Sequence, residues 1–534
     1  MNVGVRALHT SAAPGRRQIA RLEMNRILSV TLGVLLLATA CSSSVPASPT
    51  ASPPPGTIAT PTATPLAPTV PASTPLVTPG STPLATPDST PAPTPVVTPI
   101  PTATPPPTPS PTPSPTLPPG SAGIQTLKVG QRDTSPQVSA ADLQKLVKGN
   151  TAFAIDMYKQ LRKSQNGNIV FGPYSISVAF GMLNPGAAGQ TASEIDSALH
   201  FTLPLDRLDP AFDQLSLDLA SRQTAKVQIS IANRLFGQQG YPFQQPYLRE
   251  LTEQFGAPMA AVDFKTQPEP ARKLINRWVA NQTNQRIKNL IPPPPPPMIK
   301  SDTRFVLVNA MYLNAKWANP FEAAFTQDDP FTRLDGTQVQ VKTMDEEVTA
   351  PIAVTPKYQA IDLPYKGGKL SMLIVMPTNM TAFEKSLTPT VLSGVVDSLG
   401  STWLSLQLPK FSIRTNAILA DALKAMGIKA AFCALTSADC PNAADFSGMV
   451  DPADLERMHE TLSVSQVIHQ AWIKVGEAGT EAAAATAIIG GDTTGGGPDV
   501  SIQFNHPFLW FIRDRETGTI LFMGRVSDPS IVAK

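Results

Sequence analysis

Residues 476–487 read Gly-Glu-Ala-Gly-Thr-Glu-Ala-Ala-Ala-Ala-Thr-Ala, and this stretch says more about the fold than any other part of the 534-residue chain. In an extended conformation, alternate side chains point to opposite sides. One face consists of Thr480, Ala482, Ala484 and Thr486, and the other of Glu481, Ala483, Ala485 and Ala487. Because none of these side chains is bulky and only Glu481 is charged, the segment can slide between two existing strands. It can therefore change from an exposed loop to an internal strand.

This segment closely resembles the reactive-loop hinge of inhibitory serpins, and further motifs resemble that family in the same order from about Val138 to the carboxyl terminus. These motifs are Met182-Leu183 with Gly186-Ala187-Ala188-Gly189-Gln190-Thr191, Ile231-Ala232-Asn233-Arg234-Leu235-Phe236, Ile275-Asn276-Arg277-Trp278-Val279, Leu307-Val308-Asn309-Ala310 with Trp317, Leu363-Pro364-Tyr365, Leu408-Pro409-Lys410-Phe411, Ala444-Asp445-Phe446-Ser447-Gly448, His506-Pro507-Phe508 and Phe522-Met523-Gly524-Arg525-Val526. The resemblance implies an α+β fold in one domain, with three β-sheets, eight or nine helices and an exposed reactive-centre loop.

The resemblance also implies a mechanism. In the family, a protease cleaves the loop, and the loop inserts into the main sheet while the acyl-enzyme persists, so that the protease is dragged away and distorted. Strain stored in the native fold drives this change. The hinge residues that match in this chain are Glu477, Gly479, Thr480, Glu481, Ala482, Ala483, Ala484, Ala485 and Thr486.

The resemblance also allows the position of the scissile bond to be estimated by counting residues from the hinge glycine. The family's cut residue commonly lies fourteen positions after the hinge glycine, which from Gly479 gives Thr493, followed by Thr494. A small β-branched residue there suggests an elastase-like or subtilisin-like target protease. Ile488 and Ile489 remain rival cut sites, because the glycines and the aspartate around Thr493 offer a protease little side-chain contact.

Four positions resemble the family's conformational control points. Ser175, Asn309 and His469 match polar residues under the main sheet, where hydrogen bonds hold neighbouring strands closed. Trp317 matches the aromatic residue where the loop first enters the sheet. Gly172 stands where the family usually has a serine, so control of the sheet is expected to differ in detail.

The apolar spacing, taken without the resemblance, predicts helices followed by strands. Apolar residues three and four apart predict an amphipathic helix from Leu143 to Leu161. Further helical patterns cover residues 175–183, 271–290 and 417–426, and strand patterns cover residues 227–236, 304–312, 370–376, 404–411, 471–475 and 508–522. The lack of a regular βαβ alternation favours an α+β fold with largely antiparallel sheets. The six prolines 292–297 predict an exposed loop, because proline has no N–H for a sheet ladder.

The amino terminus has the form of a secretion signal. A positive start at Met24 is followed by an uncharged, mostly apolar run from Ile27 to Ala40, too short to span a bilayer comfortably. Residues 37–41 resemble a bacterial lipobox, in which Cys41 would be acylated; the alternative is ordinary cleavage after Ala40. We therefore expect a signal peptide at 1–40, with Met24 as an alternative start, and an extracytoplasmic protein anchored in the membrane at the cell surface.

The next segment cannot form a core. Residues 42–120 contain 27 of the 57 prolines, one charge and no aromatic side chain, so they lack the apolar area that offsets chain ordering. We expect the lipidated Cys41 and a Pro/Thr-rich disordered stalk to occupy residues 41–135 and the folded domain to occupy 136–534.

Composition and motifs exclude several classes of function. The net charge of +2 gives no support to nucleic-acid binding. No HExxH, GxSxG or phosphate-binding loop is present, so an enzyme, a metal and a cofactor are not expected. Cys433 and Cys440 enclose six residues outside the cytoplasm, which favours a local disulfide over a catalytic thiol.

Two hypotheses about function remain, besides a hydrolase that the empty motif search disfavours. The first is a monomeric suicide-substrate inhibitor of serine proteases, and possible cysteine-protease targets stay open. The second is a non-inhibitory binding or chaperone-like protein of the same fold. Hinges of the second kind tend to carry bulky, charged or proline residues, so the composition of 480–487 favours inhibition.

Overall fold

The amphipathic run near the start of the folded region forms a 25-residue helix, Ala140–Ser164 (α1), in a computed structural model that describes residues 123–435, 440–481 and 497–533. The Ser139 side chain caps this helix by accepting a hydrogen bond from Asp142 N. Leu146, Phe153 and Leu161 lie on its buried face. Helical periodicity therefore located this element correctly.

Nine further α-helices follow within the described ranges, so the total there is ten rather than eight or nine. They are α2 Pro173–Leu183, α3 Gly189–Leu199, α4 Leu205–Ser221, α5 Gln245–Glu253, α6 Pro268–Gln282, α7 Met380–Ser386, α8 Pro389–Asp397, α9 Ala420–Ala425 and α10 Pro452–Met458. Among the described residues, none of the helices is long and apolar enough to cross a membrane.

The strands are short near the amino terminus and longer toward the middle of the chain. They are β1 Gln125–Leu127, β2 Ile169–Phe171, β3 Val227–Gln238, β4 Met259–Val262, β5 Phe305–Lys316, β6 Gln327–Thr332, β7 Gln338–Val354, β8 Tyr358–Pro364, β9 Leu370–Pro377, β10 Gly400–Pro409, β11 Phe411–Ile418, β12 Val467–Gly476, β13 Gly479–Thr480, β14 Val500–Gln503, β15 Phe508–Asp514 and β16 Ile520–Val526.

These strands form two hydrogen-bonded sheets, and the α+β fold class is confirmed. The main sheet has the order β1-β4-β3-β5-β13-β12-β11, and the second has the order β14-β10-β7-β8-β9-β15-β16-β2, with β6 also pairing with β7. Three sheets were expected. The 17-residue strand β7 pairs with β10 along most of its length and with β8 at its end, and so joins two groups of strands into one ladder.

Several expected boundaries are wrong, each for a local reason. The helix expected to reach residue 290 ends at Gln282, because Asn284 and Gln285 adopt positive φ angles of 48° and 63°. The helix expected from residue 417 begins at Ala420, since Ala417 and Ile418 still pair with β12. The runs 404–411 and 508–522 each divide into two strands. The prolines 292–297 are exposed, as predicted.

The folded region begins earlier than residue 136. Strand β1 pairs antiparallel with β4 at the edge of the main sheet, and Arg132 forms an ion pair with Asp213 of α4. Asp133 N also donates to Glu253 O of α5. Residues 123–135, which were assigned to the stalk, therefore belong to the folded unit. A three-residue strand has too little pattern of its own to be found from sequence.

The main sheet is covered on one side by α6. Ala271, Ile275 and Val279 of this helix belong to an apolar cluster that also includes Val308 of β5 and Ile468 of β12. Helix α2 belongs to the larger core cluster together with Leu307 and Met311 of β5. The two central strands are thus held between layers, and separating them would disturb both.

Candidate functional site: the upper end of the main sheet

The central strands of the main sheet part at one end and admit a third. Strands β5 and β12 run parallel and pair directly from Leu307–Val467 to Tyr312–Trp472. Beyond that point β13 lies between them, antiparallel to both, with Thr480 opposite Ala315 and Val475. The segment expected to insert is therefore already paired on both sides through its first two residues.

Gly479 is required at the turn into this slot. Its φ of +144° lies in a region that favours glycine, and a Cβ at this position would overlap the carbonyl oxygen of Ala315. Lys316 Cα would be only 2.7 Å away. A side chain at position 479 would therefore push β13 out from between its neighbours.

Thr480 is fully buried and anchors the hinge through its hydroxyl. Its Oγ1 lies 2.6 Å from the hydroxyl of Tyr365, which stacks on Trp317 with ring centroids 4.6 Å apart. Trp317 Nε1 donates to Gly476 O at 3.0 Å, and Trp317 N donates to Ala478 O at 3.1 Å. Trp317 therefore contacts the backbone just before β13, and its role in loop entry stays a prediction. Tyr365, which lies in one of the matched motifs, was not predicted to contact the hinge.

The Glu477 side chain, at the start of the hinge, is bound by two side chains that lie outside the hinge. Lys410 Nζ lies 2.7 Å from Glu477 Oε1, and Thr326 Oγ1 donates to the same oxygen at 3.0 Å. Burial alone would raise the pKa of Glu477, but these hydrogen bonds outweigh it and hold the pKa below its usual value. The carboxylate is therefore ionised at neutral pH and held in place.

Glu481 marks the point where the described part of the hinge ends. It forms an ion pair with Arg286, whose guanidinium lies 5.5 Å from the ring centroid of Trp472. Its backbone N–H donates to Lys474 O at 2.6 Å, and its φ is 56°. Burial raises the pKa of Glu481 despite the opposing effect of Tyr312 and Arg286. The charge of Glu481 thus lies just beyond Thr480, the last residue of β13 that pairs with both neighbouring strands.

A polar cluster under the sheet, consisting of Ser175, Asn233, Asn309 and His469, connects α2 with three strands. Asn309 Nδ2 donates to Ser175 Oγ at 2.8 Å and to Asn233 Oδ1 at 2.9 Å, and the Ser175 hydroxyl donates to Asn233 Oδ1 at 2.9 Å. Asn309 Oδ1 is also hydrogen-bonded to His469 Nδ1. Since Asn309 is on β5 and His469 on β12, this last bond holds the two central strands together.

The hydrogen bonds of His469 determine its protonation. Its Nε2 accepts from Gly172 N at 3.1 Å, so Nδ1 must carry the proton that it shares with Asn309. The ring is fully buried, and burial lowers the pKa of His469 to about 3. The histidine is therefore neutral over the physiological range.

The structure brings the predicted residues Ser175, Asn309 and His469 together and adds Asn233. A polar residue at this place in the strand-like run 227–236 was the signal that could have identified Asn233. Lys410 lies in one of the matched motifs, but neither it nor Arg286 or Tyr312 could be predicted to contact the hinge, because the hinge lies far away in sequence.

Ser175 and Ser177 allow a matched test of the polar cluster. Both side chains are fully buried on α2, but the Ser177 hydroxyl has no hydrogen-bond partner among the described residues. We expect Ser175→Ala to lower the free energy of unfolding by about 1–3 kcal/mol, because it leaves Asn233 and Asn309 underbonded. Ser177→Ala should be close to neutral. Urea unfolding of both variants measures the difference, and equal losses would contradict a role for the cluster.

Several predicted positions lie outside the described residues. These are Ala482–Thr486 of the hinge, the bond between Thr493 and Thr494, the rival sites Ile488 and Ile489, and Cys41. Within the described part, the Cys433 and Cys440 sulfur atoms are bonded, with their Cα atoms 5.8 Å apart. No group of three or more potential metal ligands occurs there.

Comparisons with known proteins extend over the same region. A family model described as "Serpin (serine protease inhibitor)" matches residues 148–529. Human Serpin B4 is 35% identical over 405 residues, which cover 72% of this chain and 99% of that protein. The bovine leukocyte elastase inhibitor is 35% identical over 400 residues, covering 72% of this chain and 100% of that protein.

Solved structures that match this fold include a protein that is not named as a protease inhibitor. Human thyroxine-binding globulin, in complex with thyroxine, superposes with a TM-score of 0.63 at 29% identity, covering 73% of this chain and 99% of that one. The matched fold therefore includes proteins whose names describe protease inhibition and one whose name describes binding of a small molecule.

Proposed function

This chain belongs to the serpin family, and from that premise we propose that it is a suicide-substrate inhibitor of serine proteases. A protease would cleave the loop after β13, and the freed segment would continue into the main sheet before the acyl-enzyme is hydrolysed. Inhibition of cysteine proteases by the same route is compatible with this proposal.

The observation that carries the proposal is the arrangement of β5, β12 and β13. The two long strands pair parallel with each other over six residue pairs, while β13 has started an antiparallel strand between them. Extending β13 would replace one parallel ladder with two antiparallel ladders. Since parallel pairing is slightly less stable per residue, the exchange adds hydrogen bonds of a better kind.

Extending the register of β13 shows where each loop residue would go. Ala482 would lie between Leu313 and Ile473, and Ala484 between Met311 and Ala471. Thr486 would lie between Asn309 and His469, on the same face as those side chains. The only polar side chain after Glu481 in the hinge would thus enter the polar cluster, where its hydroxyl could replace the hydrogen bond that joins the two strands.

The target protease is proposed from the loop and from the relatives. Thr493 is small and suits a protease with a shallow specificity pocket, and several relatives are named as leukocyte elastase inhibitors. We therefore propose an elastase-like or subtilisin-like target, acting on a monomeric inhibitor.

The decisive experiment is incubation of the full chain with pancreatic elastase and with subtilisin. We expect a covalent complex that survives SDS electrophoresis and a stoichiometry of inhibition near one. Mass spectrometry of the released carboxyl-terminal peptide identifies the cut bond and distinguishes Thr493 from Ile488 and Ile489. Complete cleavage with full recovery of protease activity would instead support the non-inhibitory alternative.

We also propose that Cys41 carries a lipid that anchors the protein outside the cytoplasm. The lipobox-like sequence of residues 37–41 supports this proposal. We expect Cys41→Ser to move the protein from the membrane pellet to the soluble fraction while inhibition is unchanged, because one or more acyl chains supply the apolar area for membrane binding. Equal membrane association of both forms in a fractionation experiment would contradict the anchor.

A further inference from the structure

Two cations lie beside Glu481, the single charged side chain among residues 480–487, and only one of them forms an ion pair with it. Arg286, in the loop after α6, is the ion-pair partner of the Glu481 carboxylate. Lys474, on β12, accepts a hydrogen bond from the Glu481 N–H at its backbone oxygen. The Lys474 side chain is exposed and forms no ion pair within the described ranges. The carboxylate of Glu481 therefore lies at the loop after α6, although its backbone lies against β12.

The backbone of Glu481 is bent away from the strand conformation. Its φ of 56° is in the left-handed region, which a residue with a side chain adopts at a cost, whereas a longer β13 would need an extended backbone here. The Glu481 side chain is only 5% exposed. Burial raises the pKa of Glu481, and the charge of Arg286 opposes this more strongly than that of Lys474. The ion pair with Arg286 thus holds Glu481 in a conformation that a longer β13 could not use.

Arg286 also lies over the aromatic pair at the point where the two central strands part. Its guanidinium is 5.5 Å from the ring centroid of Trp472, which stacks on Tyr312 with ring centroids 6.2 Å apart. Tyr312 and Trp472 are the last residues of β5 and β12 that pair directly before β13. A strand inserted between them would increase their separation from about 4.8 Å to about 9.6 Å and so break the stack. Arg286 therefore contacts both Glu481 and the closed end of the two strands.

Lys474 is the cation that Glu481 would face after insertion. Extending the register of β13 by one residue places Glu481 directly between Asn314 of β5 and Lys474 of β12. Residues that are directly opposite on neighbouring strands have their side chains on the same face, and opposite charges in such pairs stabilise the sheet. The carboxylate would then meet the exposed ammonium group of Lys474. Insertion would thus exchange Arg286 for Lys474 as the partner of Glu481.

We propose that Arg286 and Lys474 are positioning residues that bind Glu481 in turn. Arg286 holds the carboxylate outside the main sheet before the loop is cut, and Lys474 binds it as the strand enters. Arg286 therefore opposes insertion, whereas Lys474 promotes it, because the single charge of the segment is never left without a partner. The effect on insertion rests on the proposed function, whereas the restraint by Arg286 in the uncleaved protein does not.

Hydrogen exchange of the uncleaved full chain tests the restraint by Arg286 without a protease. In fragments that contain Thr480 and Glu481, Arg286→Gln should raise the exchange rate of the backbone amides at least about threefold, because β13 separates from its neighbours more often. Lys288→Gln, which removes an exposed cation from the same loop, should leave the rate unchanged. Arg286→Lys should restore part of the protection, since it keeps the charge but not the planar group over Trp472. Equal exchange rates for Arg286→Gln and the parent would overturn the proposal.

The rate of insertion tests the exchange of partners. Stopped-flow tryptophan fluorescence can follow insertion, because Trp472 and Trp317 lie beside the gap that β13 enters. The measured quantity is the limiting rate at saturating pancreatic elastase. We expect Arg286→Gln to raise this rate and Lys474→Gln to lower it, each at least about threefold. Removal of two cations with a merely structural role would not change the rate in opposite directions, so shifts in the same direction would overturn the proposal.

Glu481→Gln provides a background in which neither cation has its carboxylate partner. If both cations act through Glu481, Arg286→Gln and Lys474→Gln should have little further effect on the limiting rate in this background. Shifts as large as those in the parent would show that the two cations act elsewhere and would overturn the proposal. A failure of the parent to trap elastase would contradict the proposed function, but it would leave the hydrogen-exchange result unaffected, since that measurement uses no protease.

Discussion

On the proposed mechanism, Thr480→Arg is expected to make the protein a substrate of the protease rather than an inhibitor. The parent Thr480 side chain is fully buried between β5 and β12, within 2.6 Å of the Tyr365 hydroxyl. An arginine there would have to enter the sheet as an unpaired cation, which costs several kcal/mol. Each 1.4 kcal/mol is a factor of ten in rate, so insertion should slow by about a hundredfold or more. Water would then hydrolyse the acyl-enzyme before the protease is trapped.

The measurement is the stoichiometry of inhibition together with the yield of SDS-stable complex. We expect cleavage of Thr480→Arg at the same bond and at a similar rate, because the exposed loop is unchanged, but with full release of active protease. We expect loop insertion to raise the thermal stability of the cleaved parent, and the cleaved variant should lack this gain.

Thr480→Ser is the matched control, since it keeps the hydroxyl that faces Tyr365 and should remain an inhibitor. Formation of SDS-stable complexes by Thr480→Arg as fast and as completely as by the parent would show that the insertion mechanism is wrong for this protein.

His469 is expected to make the protein sensitive to acid. Burial lowers its pKa to about 3 in the folded state, compared with about 6.5 in the unfolded chain. The unfolded state therefore binds more protons between these values, and the free energy of unfolding falls as pH falls through that range. At 1.36 kcal/mol per pH unit, the loss from this group should be about 2 kcal/mol by pH 5.

Replacing His469 in the polar cluster separates its contribution to the pH dependence of the free energy of unfolding from that of the carboxylates. His469→Gln keeps a group that can donate to Asn309 but cannot be protonated in this range. Urea unfolding at a series of pH values should show a shallower decline below pH 6.5 for this variant than for the parent.

His459→Gln, at an exposed position, is the control for the loss of a histidine elsewhere. Identical pH dependence of the parent and His469→Gln would contradict the burial of a neutral His469. Protonation of Nε2 would also remove its acceptor role toward Gly172 N, so the parent should first lose the bond between β12 and the residue that precedes α2.

The fold class could be predicted from the sequence because the periodicities of helices and strands are local properties of the chain. The hinge stays a prediction after Glu481, since residues 482–486 lie outside the described ranges. The small side chains after Gly479 predict that this segment can enter a sheet, and helical spacing located α1 within a few residues. The sequence also separated the proline-rich segment from the folded region, since composition alone decides whether a core can form. It could not place the boundary correctly, because β1 is held by β4 and by Asp213 rather than by its own pattern.

The tertiary structure decided which distant side chains hold the hinge. Glu477 pairs with Lys410, Thr480 with Tyr365, and Glu481 with Arg286, and each pair is separated by at least 67 residues. Local sequence patterns do not indicate which distant residue is the partner, because the chain contains many lysines, tyrosines and arginines. Composition and spacing therefore predict that the loop can insert. The contacts that hold its first residues depend on where folding places Lys410 between β10 and β11, Tyr365 after β8 and Arg286 after α6. The physical reason is that backbone conformation follows from local sterics and burial pattern, while hydrogen bonds and ion pairs depend on groups that only folding brings together.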